Sequence, residues 1–418
     1  MSNKVVLITS YPAQGALHSK GVGGLASFAK NTVNSIEGFE FTILADQIGD
    51  TEELYKEGLH TIKRVWKRGS YSTYPRLIRE LAKLRDGHKK LMIQFEFGIF
   101  GGEIVSGFFP TILIAARVFG YKVILVQHQV VTDVKSLSSH LGISTGPATS
   151  VRSLLTKLYL KLNCLLSDKI VVFDLVHKER LSELTSGEKI YVIPHGVEQK
   201  ELDNLNPQWP TSLTGGFDLD KFNLMTFGFI AWYKGTDWLA QNFNKFANTN
   251  HNADQYQLLI AGGESPTQRE TPTYQKYYKE FLNEAGKNRS QIFHTGFVEE
   301  RDIAFYFMES DLVVLPYRVL MSSSGPLSLA FTYEKPFILS EVLEPYTRTA
   351  DFESALHDLG INKSDFIFSL DKDDLFDKVE RIKNDSQLLE KLTELSRRLK
   401  QSRSWEKIGD EYRQLLAD

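Results

Sequence analysis

The apolar positions of this chain fall into short runs separated by longer stretches in which apolar and polar residues alternate at helical spacing. The first run, Lys4-Val-Val-Leu-Ile-Thr9, is unbroken. An unbroken run is what a parallel strand shows when both of its faces are buried. Similar runs at 40–45, 90–95, 123–127, 169–173 and 190–194 predict five more strands. Residues 74–84 and 150–166 carry amphipathic helical patterns, and a helix with Phe28, Val33 and Ile36 facing inward is predicted after the glycine cluster Gly21-Val-Gly-Gly24. The rhythm breaks at 196–221, where Asn206-Pro-Gln-Trp-Pro210 and Thr214-Gly-Gly216 are linker and turn chemistry. It resumes with strands predicted at 223–227, 256–261, 291–295, 312–316 and 336–339, and 375–416 is charged and largely helical. Strands alternating with helices predict βαβ units. The expected fold is α/β, with two doubly wound Rossmann-like domains facing across a cleft. The divisions are 1–200, a linker at 201–221, 222–398, and a terminal helix at 399–418.

Composition narrows the chemistry. A length of 418 residues suits two cores, and 42% apolar with 24% charged residues is ordinary for a globular chain. The 49 Lys and Arg against 52 Asp and Glu give a net charge of −3, so there is no basic excess to suggest a nucleic-acid partner. A single cysteine, Cys164, excludes an internal disulfide and every multi-cysteine metal pattern, and its apolar surroundings predict burial. Residues 1–10 do not read as a signal peptide, and no run approaches the roughly 18 apolar residues of a spanning helix. A cytoplasmic chain is expected, with peripheral contact at the inner face of the membrane left open, as is the oligomeric state. There is no Gly-x-Ser-x-Gly, His-Glu-x-x-His or Walker phosphate loop. The Gly21-x-Gly-Gly cluster lacks dinucleotide spacing, and no Asp-x-Asp pair suggests a metal. Neither cofactor nor metal is expected.

Ligands of doubly wound sheets sit beyond the strand C-termini. There the second half offers Phe227-Gly228-Phe-Ile-Ala-Trp-Tyr-Lys234-Gly235, a strand end followed by a loop with one lysine. Such a lysine either serves as a point charge for phosphate oxygens or is a solvated loop residue. Val319-Leu-Met-Ser-Ser-Ser324-Gly325, with Pro326 opening a helix, gives free N–H groups and a helix dipole suited to an anion. In the first half, His128 follows the strand at 123–127, and Glu96 lies in Gln94-Phe-Glu96-Phe-Gly, where it can orient a hydroxyl or cap a helix. His195, after Pro194, is equally a domain-joining turn. Residues 98–109 suit either core or an apolar lip, and 135–149, rich in Ser, Gly and Thr, either an acceptor loop or a surface excursion.

Taken in order, several of these marks resemble the family 4 glycosyltransferases, retaining enzymes of the two-Rossmann GT-B architecture. The marks are Gly23-Gly24-Leu25 with Phe28, Ile193-Pro-His-Gly-Val197, Phe227-Gly228 with Lys234-Gly235, Leu258-Leu-Ile-Ala-Gly-Gly263, Thr295-Gly-Phe-Val298, Ser310-Asp-Leu-Val-Val-Leu-Pro316, Glu334-Lys-Pro336 and Ser404-Trp-Glu-Lys-Ile408. The resemblance implies an acceptor-side first domain, a donor-binding second domain, and a terminal helix that returns to the first. It implies a nucleotide-diphosphate sugar as donor, a hydroxyl acceptor, and hexose transfer with retention of configuration. His128 and Lys234 would be catalytic, and Glu96 and His128 would face the acceptor. Gly23, Gly24, Gly228, Lys234, Gly262, Gly263, Ser323, Ser324, Gly325 and Leu327 would hold the donor. The chain departs from the family pattern at Phe229, where an arginine is usual, and at Met321 and Leu329, where two glutamates are usual. Glu341 and Glu344 are candidate replacements. The alternative is a catalytically silent relative that binds a sugar nucleotide or a partner enzyme.

Overall fold

In a computed structural model, which describes residues 3–17, 24–49, 52–132, 146–211, 213, 216–266, 268–320, 323–371 and 374–417, the chain forms two sheets. The first contains β1 (Lys4–Thr9), β2 (Glu40–Asp46), β3 (Glu53–Glu57), β4 (His60–Trp66), β5 (Lys90–Phe95), β6 (Lys122–Gln127), β7 (Lys169–Val172) and β8 (Ile190–Val192), in the order β3-β4-β2-β1-β5-β6-β7-β8. In β1 every residue after Lys4 is buried, which is why its sequence shows no alternation. The β3–β4 hairpin is the one antiparallel pair among the described residues, and the sequence reading did not anticipate it. At this edge of the sheet, β3 exposes most of its side chains and β4 alternates in burial over its first half. Neither strand therefore carries a continuous apolar run.

The second sheet contains β9 (Phe222–Phe227), β10 (Tyr256–Ala261), β11 (Ile292–His294), β12 (Leu312–Leu315), β13 (Phe337–Ser340) and β14 (Ile367–Phe368), in the order β11-β10-β9-β12-β13-β14. All its pairs are parallel. Sheet order reverses between β1 and β5 and again between β9 and β12. Doubly wound sheets open their ligand crevices at such reversals.

The end of the chain ties the halves together. Helix Ser386–Ser402 belongs to the second domain, with Leu399 in that domain's core, so 399–402 do not join the terminal helix as the sequence divisions had them. Helix Trp405–Ala417 packs on Gly24–Ser35, and Ile408, Tyr412, Leu415 and Leu416 are buried with Phe28 and Val33 in the first domain. Gly409 permits the close approach, since a Cβ there would lie 2.0 Å from the Ser35 carbonyl oxygen. Two chain crossings run side by side at the joint. The Val197 N–H donates to the Arg403 carbonyl at 2.7 Å, and Gln199 Nε2 donates to the Lys400 carbonyl at 2.7 Å. Cys164 is buried, as its apolar surroundings predicted. Among the described residues no helix is long and apolar enough to cross a membrane.

Candidate functional site

The loop after β9 is shaped by glycines that leave no room for side chains. Gly228 has φ 108° and Gly235 has φ 70°, values that disfavour side-chain-bearing residues. A Cβ on Gly235 would lie 1.9 Å from the Pro316 carbonyl oxygen, and one on Gly262 would lie 1.9 Å from the Gly228 carbonyl oxygen. A Cβ on Gly263 would lie 2.7 Å from the Phe297 amide nitrogen. The loops after β9, β10, β11 and β12 are thus packed backbone to backbone. Gly262 and Gly263 act here by allowing that approach.

On this platform Lys234 folds back over Gly228. Its Nζ lies 2.6 Å from where a Gly228 Cβ would be, while Pro326 Cγ lies 3.5 Å from the same point. The ammonium also sits 6.0 Å from the Tyr317 ring centroid. No carboxylate among the described residues pairs with it, and burial lowers its pKa to about 8. The loop is fastened from behind. Arg318, just beyond β12, donates twice to Asp237 at 2.7 Å, and Tyr277 donates its hydroxyl to the same carboxylate at 2.9 Å. Arg318 also donates to the Trp232 carbonyl at 2.8 Å. The sequence reading gave Arg318 and Asp237 no role, because residues 81 positions apart in sequence show no pairing signal.

Ser324 caps helix Gly325–Thr332, accepting from the Leu327 N–H at 3.3 Å and sharing a 3.1 Å hydrogen bond with the Tyr317 hydroxyl. The space a Gly325 Cβ would occupy is open. Gly228, Lys234, Ser324, Gly325 and Pro326 therefore lie together at one helix start, joined by Tyr317, which the sequence reading did not single out, with Ser323 preceding the cap. Gly24 opens the helix Gly24–Ser35 beside an equally open space. Gly23 and Met321 lie outside the described residues, as does most of the candidate acceptor loop. Its last residues, 147–149, form the first turn of helix Pro147–Leu166.

The departures from the family pattern have structural outcomes. Phe229 stacks on Phe297 with centroids 6.3 Å apart and planes inclined by 25°. Leu329 packs against the second domain's core. Glu344 is held by Arg348 at 2.7 Å and Lys363 at 2.6 Å, and Glu341 accepts from Ser369 Oγ at 3.0 Å. Both carboxylates are engaged by protein side chains.

The first domain contributes Glu96 at the end of β5. No hydrogen bond or ion pair occupies its carboxylate among the described residues. Burial pushes its pKa up, and the Arg68 guanidinium pulls it back down. Its field is felt by Tyr233, next to Lys234 in the other domain, whose hydroxyl is pushed up to about 12, chiefly by burial and also by Glu96. Arg68 is held by Asp46 at 3.0 Å and by Ser10 Oγ at 2.8 Å. The sequence reading missed Arg68, whose relevance rests on the fold bringing the loop after β4 onto the loop after β5, where the Gly69 N–H donates to the Phe100 carbonyl at 2.8 Å.

His128 lies beyond β6, its ring 4.9 Å from Phe28 and 4.8 Å from Phe173. Its Nε2 is buried without a partner, and burial, with His195 adding to it, lowers its pKa to about 3. At neutral pH it is an uncharged hydrogen-bonding group. His195 turns out to be a joint between the domains. Its Nδ1 lies 2.7 Å from the Gly196 carbonyl, so that nitrogen carries the proton, and 3.3 Å from Ser328 Oγ on helix Gly325–Thr332. Burial lowers its pKa to about 4.

A pH prediction follows from His128. The unfolded histidine titrates near 6.5 and the folded one near 3, so the unfolded state binds more protons between these values and stability falls as pH drops below 6.5. Between pH 6.5 and 5 the loss is about 2 kcal/mol from this group. His128→Phe, which keeps an aromatic ring and removes the titration, should flatten this part of the stability–pH curve in urea melts. An unchanged slope would refute the assignment.

Two doubly wound, mostly parallel sheets and a last helix that crosses back to the first are the marks of the GT-B architecture. Residues 221–384, which include the Lys234 loop and the capped helix, match the family described as Glycosyl transferases group 1. Over its whole length the chain is similar in structure to a UDP-forming α,α-trehalose-phosphate synthase from Burkholderia xenovorans, at 13% identity, covering 100% of this chain and 99% of that one, with a TM-score of 0.69. It is similar to sucrose-phosphate synthase from Thermosynechococcus elongatus at 15% identity, 99% coverage of both chains and a TM-score of 0.67. It is also similar to an E. coli trehalose-6-phosphate protein bound with UDP-2-fluoro glucose, at 13% identity, 99% and 98% coverage and a TM-score of 0.66. At such identities the likeness establishes the fold. Among curated proteins none matches the chain. No group of three or more His, Cys, Asp or Glu side chains suited to a metal ion occurs among the described residues.

Proposed function

We propose that this chain transfers a hexose from a nucleoside-diphosphate sugar to an acceptor hydroxyl, with retention of configuration. The observation that carries the proposal is the unpaired ammonium of Lys234 beside the open, Ser324-capped helix start. A half-buried cation with no counter-ion among the described residues, next to a positive helix end, is suited to a diphosphate. As the bond between the sugar and the leaving diphosphate breaks, negative charge grows on that diphosphate. The Gly325 N–H, the positive end of the helix and Lys234 then stabilise the transition state more than the bound substrate. Glu96 and His128 are the first-domain residues assigned to the acceptor side in this reading. His128, neutral at working pH, is suited to hydrogen-bond a sugar hydroxyl, and Glu96 to orient the acceptor. The group 1 match over 221–384 supports the reading, and similar folds described as UDP-forming make uridine the first nucleotide to try.

A thermal-shift series with UDP-, GDP-, ADP- and dTDP-sugars beside the free nucleotides tests it. One nucleotide class should raise the melting temperature, since a ligand at 100 times its Kd stabilises the folded state by about 2.7 kcal/mol. Turnover with an acceptor should follow for that class. Binding without turnover would favour the silent relative, a reading motivated by Phe229 and Leu329 at positions where the family usually has charged residues. No shift with any donor would overturn the site assignment.

A further inference from the structure

Helix Pro147–Leu166 is amphipathic in sequence, yet it turns its apolar stripe away from the protein. At about 100° per residue, Val151, Leu154, Leu155, Leu158, Leu162 and Leu165 fall within an arc of about 100°. All six are exposed, Leu158 by 54% and Leu165 by 59%. The side that meets the protein carries Thr149, Leu160, Asn163 and Cys164. The sequence predicts a helix here, but an apolar stripe normally faces the core. The stripe is wide and continuous enough to mark an interaction surface.

Neighbouring elements enlarge the face. Helix Pro110–Val118 packs beside this helix and exposes Ile114 and Val118. Ile104 and Phe108, from the loop that begins at the lip of the cleft, are exposed as well, and Tyr71 meets Phe108 with ring centroids 6.1 Å apart. Residues 98–109 are thus part core, through Ile99, Phe100 and Phe109, and part exposed lip.

Charge identifies the occupant. The described residues from 104 to 167 include Arg117, Lys122, Arg152, Lys157 and Lys161 and no Asp or Glu, in a chain whose net charge is −3. Arg117 is paired with Asp168, but Arg152, Lys157 and Lys161 have no carboxylate partner among the described residues. On the helical wheel Arg152 flanks one side of the stripe, and Lys157 and Lys161 flank the other. Long basic side chains beside an apolar stripe place their stems along hydrocarbon and their charges at phosphate level. A second copy of this chain fits less well, because a two-fold contact would set these cations against their own counterparts.

We propose that this face docks on an anionic lipid bilayer, with the helix lying in the headgroup plane and the lip of the cleft turned toward the membrane. The inference stands on this surface alone and is independent of the transfer reaction. It is tested by co-sedimentation of the full chain with phosphatidylcholine vesicles with and without phosphatidylglycerol. Binding is expected to the anionic vesicles and to fall as salt is raised. Leu158→Ser/Leu162→Ser and Lys157→Glu/Lys161→Glu should each weaken it by about tenfold or more. These side chains are exposed, so melting temperatures should match the parent chain and show that the variants are folded. Absence of vesicle binding, equal binding to neutral vesicles, or binding unchanged in both variants would overturn the proposal. A concentration-dependent dimer in light scattering that Leu158→Ser/Leu162→Ser dissolves would also overturn it, assigning the face to a second copy.

Discussion

Lys234→Met is expected to lower the proposed transfer by on the order of 10²–10³-fold in kcat/KM and at the same time to stabilise the fold at neutral pH. The two effects have one cause. The methionine keeps most of the apolar stem over Gly228 and Tyr317 but removes an ammonium that no carboxylate among the described residues pairs with. In the folded chain this group titrates near 8 instead of 10.5, because burial disfavours its charge. The destabilisation is fully present below pH 8 and fades as pH rises to 10.5, where the unfolded chain also loses the proton. After discounting for partial exposure, Met should gain about 1–2 kcal/mol at pH 7, with the gain shrinking above pH 8. Urea melts at pH 7 and pH 10 beside steady-state kinetics check both signs. Nucleotide affinity of the parent chain should also weaken above pH 8, a dependence the Met variant would lack. Lost activity together with lost stability would instead mean that Lys234 is a structural residue.

Gly235→Ala is expected to destabilise the second domain by about 3 kcal/mol or more, the largest effect of any single methyl group near the site. Two terms add. A left-handed backbone costs an alanine roughly 1–2 kcal/mol, and the new Cβ would overlap a backbone oxygen, which cannot rotate away as a side chain can. The oxygen belongs to Pro316, in the loop that leads to Arg318 and Ser324. Relief of the clash would therefore part the lysine loop from the capped helix, so nucleotide binding should fall with stability. Chemical denaturation followed by the tryptophans, together with a nucleotide titration, tests this. Gly325→Ala is the control. It opens onto empty space and should leave the fold unaltered.

The parts of the architecture that could be read from sequence are those with unambiguous periodicity. Doubly buried strands such as β1 and β10 announce themselves as unbroken apolar runs. The β3–β4 hairpin does not, because β3 is largely exposed and β4 alternates over its first half, and neither does β14, which has only two residues. At the site, Lys234, Ser324 and Gly325 were legible because loop chemistry after a buried strand is local. The Arg318–Asp237 clamp, the field of Glu96 on Tyr233 and the contact of His195 with Ser328 depend on how distant strands are ordered, which spacing does not carry. For helix Pro147–Leu166 the pattern was read and its direction was not. Amphipathicity gives two faces without saying which one meets the protein.

The packing of helix Trp405–Ala417 on Gly24–Ser35 has a consequence for synthesis. The first domain's core closes only with Ile408, Tyr412 and Leu416, so the nascent chain carries an unfinished hydrophobic surface along Phe28 and Val33 while the second domain emerges and folds. The usual order, in which the N-terminal domain finishes first on the ribosome, is inverted. The domain made first is completed last, and a fragment ending near residue 200 would lack the helix that seals it.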